Sequence, residues 1–540
     1  MMDLKKLIEQ GNQLFKNRTT LMILWQDIAE NFYPERADFT VKREIGDDYA
    51  GNLTSSYPLM VRRELGDAIS SMLRPRDQPW FSITVDGIDD LSYTSRLWLE
   101  AATKVQRRAM YDKRSQFVRA TKEGDHDFAA FGQCIISLEI DWSTTTLLYR
   151  SWHPRDVVWC EQYNGIVGDI HRNWSPDVRT LHTIFGKDKL HPNVTKRLDK
   201  DPYCTIQCRH VVLPVSQYDG DRSYSTPFVS MFIDIDNKHL ISETPSWSQI
   251  YCIPRWQTVS GSQYAYSPAT VAGLPDARLL QAMTLTLLEA GEMAVRPPLI
   301  ATKEAIRSDV SIYPGGITWV DAQYDERLGE VLRPITQDKS GLPFGTDLAE
   351  EKKLMLQQAF YLNRLSLPPS EREMTAYETS QRIREYIRNA LPLFEPMEHE
   401  YNGGLCEMTF DALMRVGAFG PVVEFPDELR GNDVKFKFES PLHEAIDRTK
   451  GQKFIEAKQL LREAVEVDPS AVGVLDIRKS FRDALYGIGI ETGWTRPEEE
   501  VEALAQKMQQ EQQAQQVLQL AQQGADVAET ASKAGELEAA

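Results

Sequence analysis

PDARLLQAMTLTLLEAGEMAVRPPLI, residues 275–300, and LAEEKKLMLQQAFYLNRLSLPP, residues 348–369, decide the fold. In the first, Leu280, Met283, Leu287 and Ala294 recur along one helical face from an early Pro275, and Pro297 and Pro298 stop the helix after Val295. In the second, Asp347 and Glu350 have capping-box spacing, apolar residues recur to Leu365, and Pro368 and Pro369 end it. Each rod spans about 30 Å at ~1.5 Å per residue. Both close on a double proline, and together they flank a segment that reads as short strands and loops.

Outward from the rods the pattern changes. Residues 3–32 read as two amphipathic helices, with Leu4, Leu7, Ile8 and Leu14 in the first and Leu21, Leu24, Trp25, Ile28 and Phe32 in the second. Residues 56–73 give another, with Met60, Leu65, Ile69 and Leu73 on one side. From 79 to 260, short apolar runs such as CIISLEI, DVVWC, CTIQCRHVVLPV and SMFIDID alternate with turn residues, and helices interrupt near 92–124 and 176–200. Short connections favour antiparallel strands, so the fold class is α+β. After the second rod a long helical pattern over 376–416 is kinked by Pro392 and Pro396. A strand pair over 421–439, helices over 441–488, and a Gln-, Ala- and Glu-rich tail over 497–540 follow; Val501, Leu504, Met508 and Leu518 in the tail approach a 3.5-residue spacing.

Bulk properties exclude several functions. A formal net charge of −18 argues against a broad basic surface gripping DNA. The six cysteines are scattered, unlike a secreted disulfide scaffold, and a charged amino terminus with no long apolar run implies a soluble product without membrane insertion. GxxxxGK[ST], GxSxG and HExxH are all absent, so neither ATP hydrolysis nor those hydrolase chemistries are expected. Cys204, Cys208 and His210 share a strand face, but extended spacing puts the cysteines ~13 Å apart, too far for one ion, so buried sheet residues are the better reading. No enzyme activity, metal or cofactor is expected.

The order of parts resembles the bacteriophage portal family, and four strings resemble the head-to-tail connectors of T7-like short-tailed phages. LGDAISSMLRPRDQPWFSI, Leu65–Ile83, is similar to the family's early LASxLxxxLxPPxxPWFxL and contains Pro79, Trp80 and Phe81. Arg255 and Trp256 followed by Tyr264–Ala269 resemble an RW pair followed by YGRSPA, with the family's glycine and arginine replaced. VRPPLI with Pro297 and Pro298 resembles a stem helix entering its clip, and Met374–Thr379, containing Thr375, Ala376 and Glu378, resembles MTATEV.

The resemblance implies a portal fold with wing, two-helix stem, clip and helical crown. Residues 1–269 would be the amino-terminal helices and wing, 270–296 the first stem helix, 297–345 the clip and 346–367 the second stem helix. The tunnel loop would be 368–375, the wing's long helix and strands 376–440, the crown 441–496, and 497–540 a helical tail. Lys352, Lys353, Arg364, Ser370, Glu371, Arg372 and Glu373 would lie along the DNA channel. The implied partners are eleven further copies in a dodecameric ring, double-stranded DNA passing without sequence readout, the large terminase subunit, and scaffolding and major capsid proteins. A tail adaptor would dock at the clip and internal core or ejection proteins at the crown. Assembly in the host cytoplasm and residence at the portal vertex of the virion follow. The alternatives are a ring-forming virion protein without a DNA channel and an α+β hydrolase using paired carboxylates.

Overall fold

The computed structural model describes residues 4–44, 46–76, 78–85, 91–141, 145–218, 224–295, 297, 299–301, 332–334, 341–365, 397–421, 425–438, 454–464, 476–487, 490–497, 500–508, 510, 511, 513 and 515. The chain divides into two compact units, 1–80 with 107–416 and 81–106 with 417–540.

The first unit opens with α1 (Leu4–Asn17), α2 (Thr19–Phe32) and α3 (Tyr57–Leu73). Of the expected apolar faces, Leu7, Ile8, Trp25, Ile28 and Phe32 are buried and Leu4, Leu14, Leu21 and Leu24 half-buried, and α3 shows one exchange. Val61 rather than Met60 joins Leu65, Ile69 and Leu73, because a four-residue step keeps those side chains in line. Met60 is exposed.

The strand block forms two antiparallel sheets. In the smaller, β2 (Ile135–Asp141) is central between β3 (Thr146–Trp152) and β9 (Tyr251–Cys252). The larger is a five-stranded meander of β4 (Val157–Glu161), β5 (Val167–Trp174), β6 (Cys208–Pro214), β7 (Phe228–Asp234) and β8 (His239–Ser246). Its central β6 is buried along its whole length, Arg209 and His210 included, because both faces are covered. Val211, Leu213, Val229, Met231 and Ile233 pack beneath Leu7 and Ile8 of α1. Ile170 and Val212, on the opposite face, join Trp159, Ile135 and Tyr251. Pro245 lies on edge strand β8, where a missing N–H disrupts no inner ladder and discourages edge pairing.

Residues 176–200 form α6 (Val178–Phe185) and α7 (Pro192–Lys200), and α5 (Phe117–Phe131) lies before the small sheet. The reading that put Cys204 on a strand with Cys208 and His210 is corrected: β6 begins at Cys208. Both ring nitrogens of His210 are engaged, by the Tyr251 hydroxyl at 2.5 Å and Ser230 Oγ at 2.8 Å.

In the second unit, β1 (Phe81–Val85) pairs antiparallel with β12 (Val434–Phe438), Phe81 opposite Phe438. The expected strand pair within 421–439 is therefore one strand among the described residues, and its partner begins in the PWF string, where Phe81 pairs with Phe438, 357 residues later. Ile83 N–H donates to Thr103 Oγ1 of α4 (Tyr93–Met110) at 3.0 Å, and Trp98 meets Phe425 at 4.7 Å between ring centres. Helical residues 454–464 and Ile477–Gly487 bring Phe454 against Phe481 at 5.7 Å.

Candidate functional site

The two rods form an antiparallel-sheet-tipped hairpin. α8 (Leu274–Val295) leads to β10 (Leu299–Ala301), which pairs antiparallel with β11 (Leu332–Pro334), and α9 (Gly341–Ala359) returns. A π-helical turn, Ala269–Gly273, precedes α8. The second rod departs from expectation at both ends. It starts at Gly341, so Asp347 and Glu350 sit inside the helix and do not cap it. Pro343 is tolerated because the first-turn N–H groups have no intrahelical acceptor. At the other end the helix breaks at Phe360–Tyr361 before α10 (Leu362–Leu365), and Tyr361 takes φ +60°.

Few polar ties hold the hairpin to itself and to its base. Lys352 Nζ reaches Asp276 of α8 at 3.2 Å. Gln281 laces α8 to the strand of chain before α3: its Oε1 accepts from the N–H groups of Thr54 and Ser55 at 2.8 and 2.7 Å, and its Nε2 donates to Ser55 O at 2.8 Å. Arg278 pairs with Asp27 of α2, and the Tyr57 hydroxyl donates to Lys353 O at 3.3 Å. Burial, with help from Glu64, pushes the Tyr57 phenol up.

Much of the hairpin's apolar surface is uncovered within one chain. Ala277 and Leu280 of α8 and Ala349 and Leu356 of α9 are buried. At ~100° per residue, Leu285 and Leu288 fall on one flank of the buried line on α8, and Leu279 and Met293 on the face opposite that line. All four are more than two-fifths exposed, and Phe344 on α9 is 71% exposed.

The channel candidates divide sharply. Lys352 is neutralised by Asp276, and Lys353 pairs with Glu350 at 2.6 Å while lying 5.8 Å from the Tyr57 ring centre. The side chain of Arg364, together with Ser370, Glu371, Arg372, Glu373, Thr375, Ala376 and Glu378, lies outside the described residues, as does Pro298. Pro297 is half-buried at the end of the first rod, and Pro79 is exposed.

The other motif residues are packing residues. Arg255 holds Glu400 at 2.9 Å and Glu161 at 3.3 Å and donates to Gly165 O at 2.9 Å, while its own N–H donates to Glu400 Oε2. Burial works against the guanidinium charge, but the two carboxylates outweigh it and raise its pKa. Trp256 N–H donates to Gly132 O at 2.8 Å, and its ring packs on Phe128 at 5.1 Å. Gly132, at φ +75°, is required there: a Cβ would lie 2.6 Å from the Tyr266 carbonyl carbon. Trp80 is fully buried and donates Nε1–H to the Tyr111 hydroxyl at 3.0 Å. Asp276, Gln281 and Glu400 were not singled out from sequence, because each acts on a partner 76 or more residues away.

Among the described residues no group of three His, Cys, Asp or Glu side chains could hold a metal ion, and no helix is long and apolar enough to cross a membrane. The described geometry is that of a mixed helix-and-sheet body bearing a helical hairpin with apolar flanks, a structural and assembling protein. Residues 4–495 match the family described as bacteriophage head to tail connecting protein. The chain belongs to that family, the virion portal proteins that form a ring at the capsid vertex where head meets tail. It is 25% identical over 452 residues to a probable portal protein of Bordetella phage BPP-1, covering 82% of this chain and 79% of that protein. It is 20% identical over 517 residues to the portal protein of Salmonella phage epsilon15, covering 93% and 90% respectively. Among solved structures, the virion of a native gene transfer agent particle aligns over 77% of this chain and 87% of its own at 9% identity and TM-score 0.36.

Proposed function

We propose that this chain works as a passive conduit: a dodecameric ring whose axial channel passes double-stranded DNA into the head during packaging and out at ejection. In this reading the hairpin is the stem and clip, with stem helices in 270–296 and 346–367 and the clip in 297–345. Residues 1–269 and 376–440 build the wing, 368–375 the tunnel loop, and 441–496 the crown, extended by 497–540. The narrower T7-like assignment rests on the four ordered strings.

The observation that carries the reading is the hairpin's exposed apolar residues on two different sides of one rod. A closed ring needs heterologous contacts, so each subunit must offer two unlike surfaces, one to each neighbour. Leu279 and Met293 serve one neighbour, and Leu285 and Leu288 the other. Twelve copies at −18 each carry −216 formal charges, and an acidic wall keeps the DNA backbone from sticking while it slides. Because Lys352 and Lys353 are spent on their own chain's carboxylates, the cations that steady the duplex at phosphate level are Arg364 and Arg372. The sequence carries no GxxxxGK[ST] phosphate-binding string, so the motor is assigned to the large terminase subunit, which docks, before the tail adaptor, on the clip. Scaffolding and major capsid proteins hold the rim, and internal core or ejection proteins meet the crown.

Arg372→Glu tests the conduit. The reading expects normal rings but impaired packaging or genome retention; full heads at the wild-type yield would remove the tunnel loop from the mechanism. Negative-stain images decide the alternative of a ring-forming virion protein without a channel, since the conduit requires an axial hole.

A further inference from the structure

The second rod contains a conflict between its sequence and its backbone. From Thr346 to Leu367 there is neither glycine nor proline, and the residue types are ordinary helix formers. Local preference therefore favours one helix running through Phe360 and Tyr361. Instead the last regular bond runs from Phe360 N–H to Leu356 O at 3.0 Å, Tyr361 N–H closes a tighter turn on Gln358 O at 3.1 Å, and Tyr361 enters the left-handed region at φ +60°. For a bulky non-glycine residue that conformation is disfavoured roughly five- to thirtyfold.

Two tertiary contacts impose the break. Phe360 is fully buried and packs on Phe32 at 5.2 Å between ring centres. It also presses on Gly273, where a Cβ would stand 2.8 Å from Phe360 Cε2 and 3.2 Å from Phe32 Cζ. Tyr361 lies nearly parallel to Trp256, at 6.5 Å and 15°. Gly273 ends the π-helical turn Ala269–Gly273, so the irregularity at the base of one rod touches the irregularity in the other. π-turns and left-handed non-glycine residues persist only where the surroundings over-determine them, and both concentrate at functional positions.

We propose that the Phe360–Tyr361 break is a two-state joint, in which the chain after Phe360 alternates between the broken form and a continuous α-helix. Phe360 is the fixed pin, seated on Phe32 and Gly273. Tyr361 is the switch residue, exchanging its stack on Trp256 for helical geometry. A site where local preference and packing oppose each other by a small margin is bistable, whereas one where they agree is not. The joint is independent of the conduit reading, since it lies within one chain.

Hydrogen–deuterium exchange of the full-length protein, followed by mass spectrometry on peptides covering 358–366, reads the two states. In the broken form the amides of Leu362, Asn363 and Arg364 open a new helix and have no intrahelical acceptor; in the continuous form residues 358–360 accept from them. Tyr361→Ala and Tyr361→Leu remove the stack, keep the left-handed penalty and improve helix preference, so exchange there slows about tenfold. Tyr361→Gly lifts the penalty, so exchange stays at or above the wild-type rate. Leu shields the result from loss of apolar volume at the site. Faster or unchanged exchange in both the Ala and Leu variants would show a fixed kink and overturn the proposal.

Discussion

The sheet body and the hairpin solve opposite problems. The body pairs buried charges within its own chain. Arg74 pairs with Asp125 in the core, donates to Asn402 Oδ1 at 2.8 Å and lies 4.5 Å from the Tyr401 ring centre. Arg36 grips Asp127 with two bonds at 3.0 and 2.9 Å. Arg18 donates to the carbonyls of Pro154 and Val157 at 2.8 and 2.7 Å. Among the described residues the hairpin has one cross-rod ion pair and leaves leucines, methionines and a phenylalanine exposed. A region that closes its own core specifies its fold alone, whereas a region with exposed apolar flanks is completed by other copies.

The contrast is broken most severely by Arg74→Met, which strands Asp125 in the core. It should cost about 3–5 kcal/mol, read by chemical denaturation, because a lone buried carboxylate keeps its desolvation penalty. A loss under about 1 kcal/mol would show that the body does not depend on the pair.

Acidification is next. Burial, aided by Arg62, holds His126 neutral down to about 4, and burial with Arg209 does the same for His171 down to about 3. The unfolded chain protonates both near 6.5. It thus binds more protons as pH falls below that value, so stability declines by on the order of several kcal/mol, down to about pH 4 for His126 and about pH 3 for His171, and levels off below that. Asp38 acts at lower pH: although burial opposes it, His153 and Arg155 hold it at about 2, so its contribution is lost only between pH 3.8 and 2. His171→Leu should make the upper slope shallower in urea titrations at stepped pH; an unchanged slope would exclude that histidine.

The hairpin's response should differ in kind. Leu285→Glu with Leu288→Glu changes the folding free energy of one chain by no more than about 0.5 kcal/mol, as for exposed positions generally. It should nonetheless abolish assembly in size-exclusion chromatography with light scattering. Lys353→Ala should be the mildest change, within about 0.5 kcal/mol, because its pair with Glu350 is a partly exposed helix-surface pair.

What could be read from sequence was local. The proline-stopped first rod, the paired amino-terminal helices and the antiparallel strand block follow from periodicity and turn residues. The true start of α9 was hidden because Gly341 and Pro343 look like helix breakers, although a helix's first turn accepts them. Its break at Tyr361 was hidden for the opposite reason, since no breaker is present and Phe32, Gly273 and Trp256 come from elsewhere in the chain. β1 could not be matched to β12, because register across such a separation is set by the fold. Lys352 and Lys353 looked like free cations, and only the packing of α9 on α8 and Tyr57 shows how they are spent.

The central claim, that the hairpin's two apolar flanks close a ring, is tested most directly by the native mass of the assembled wild-type protein beside the Leu285→Glu/Leu288→Glu variant. Twelve subunits of 61.6 kDa give about 740 kDa. The account predicts one closed species near that mass for the wild type and folded monomers for the variant. A closed ring of unchanged mass in the variant would contradict it, as would a wild-type protein that remains monomeric.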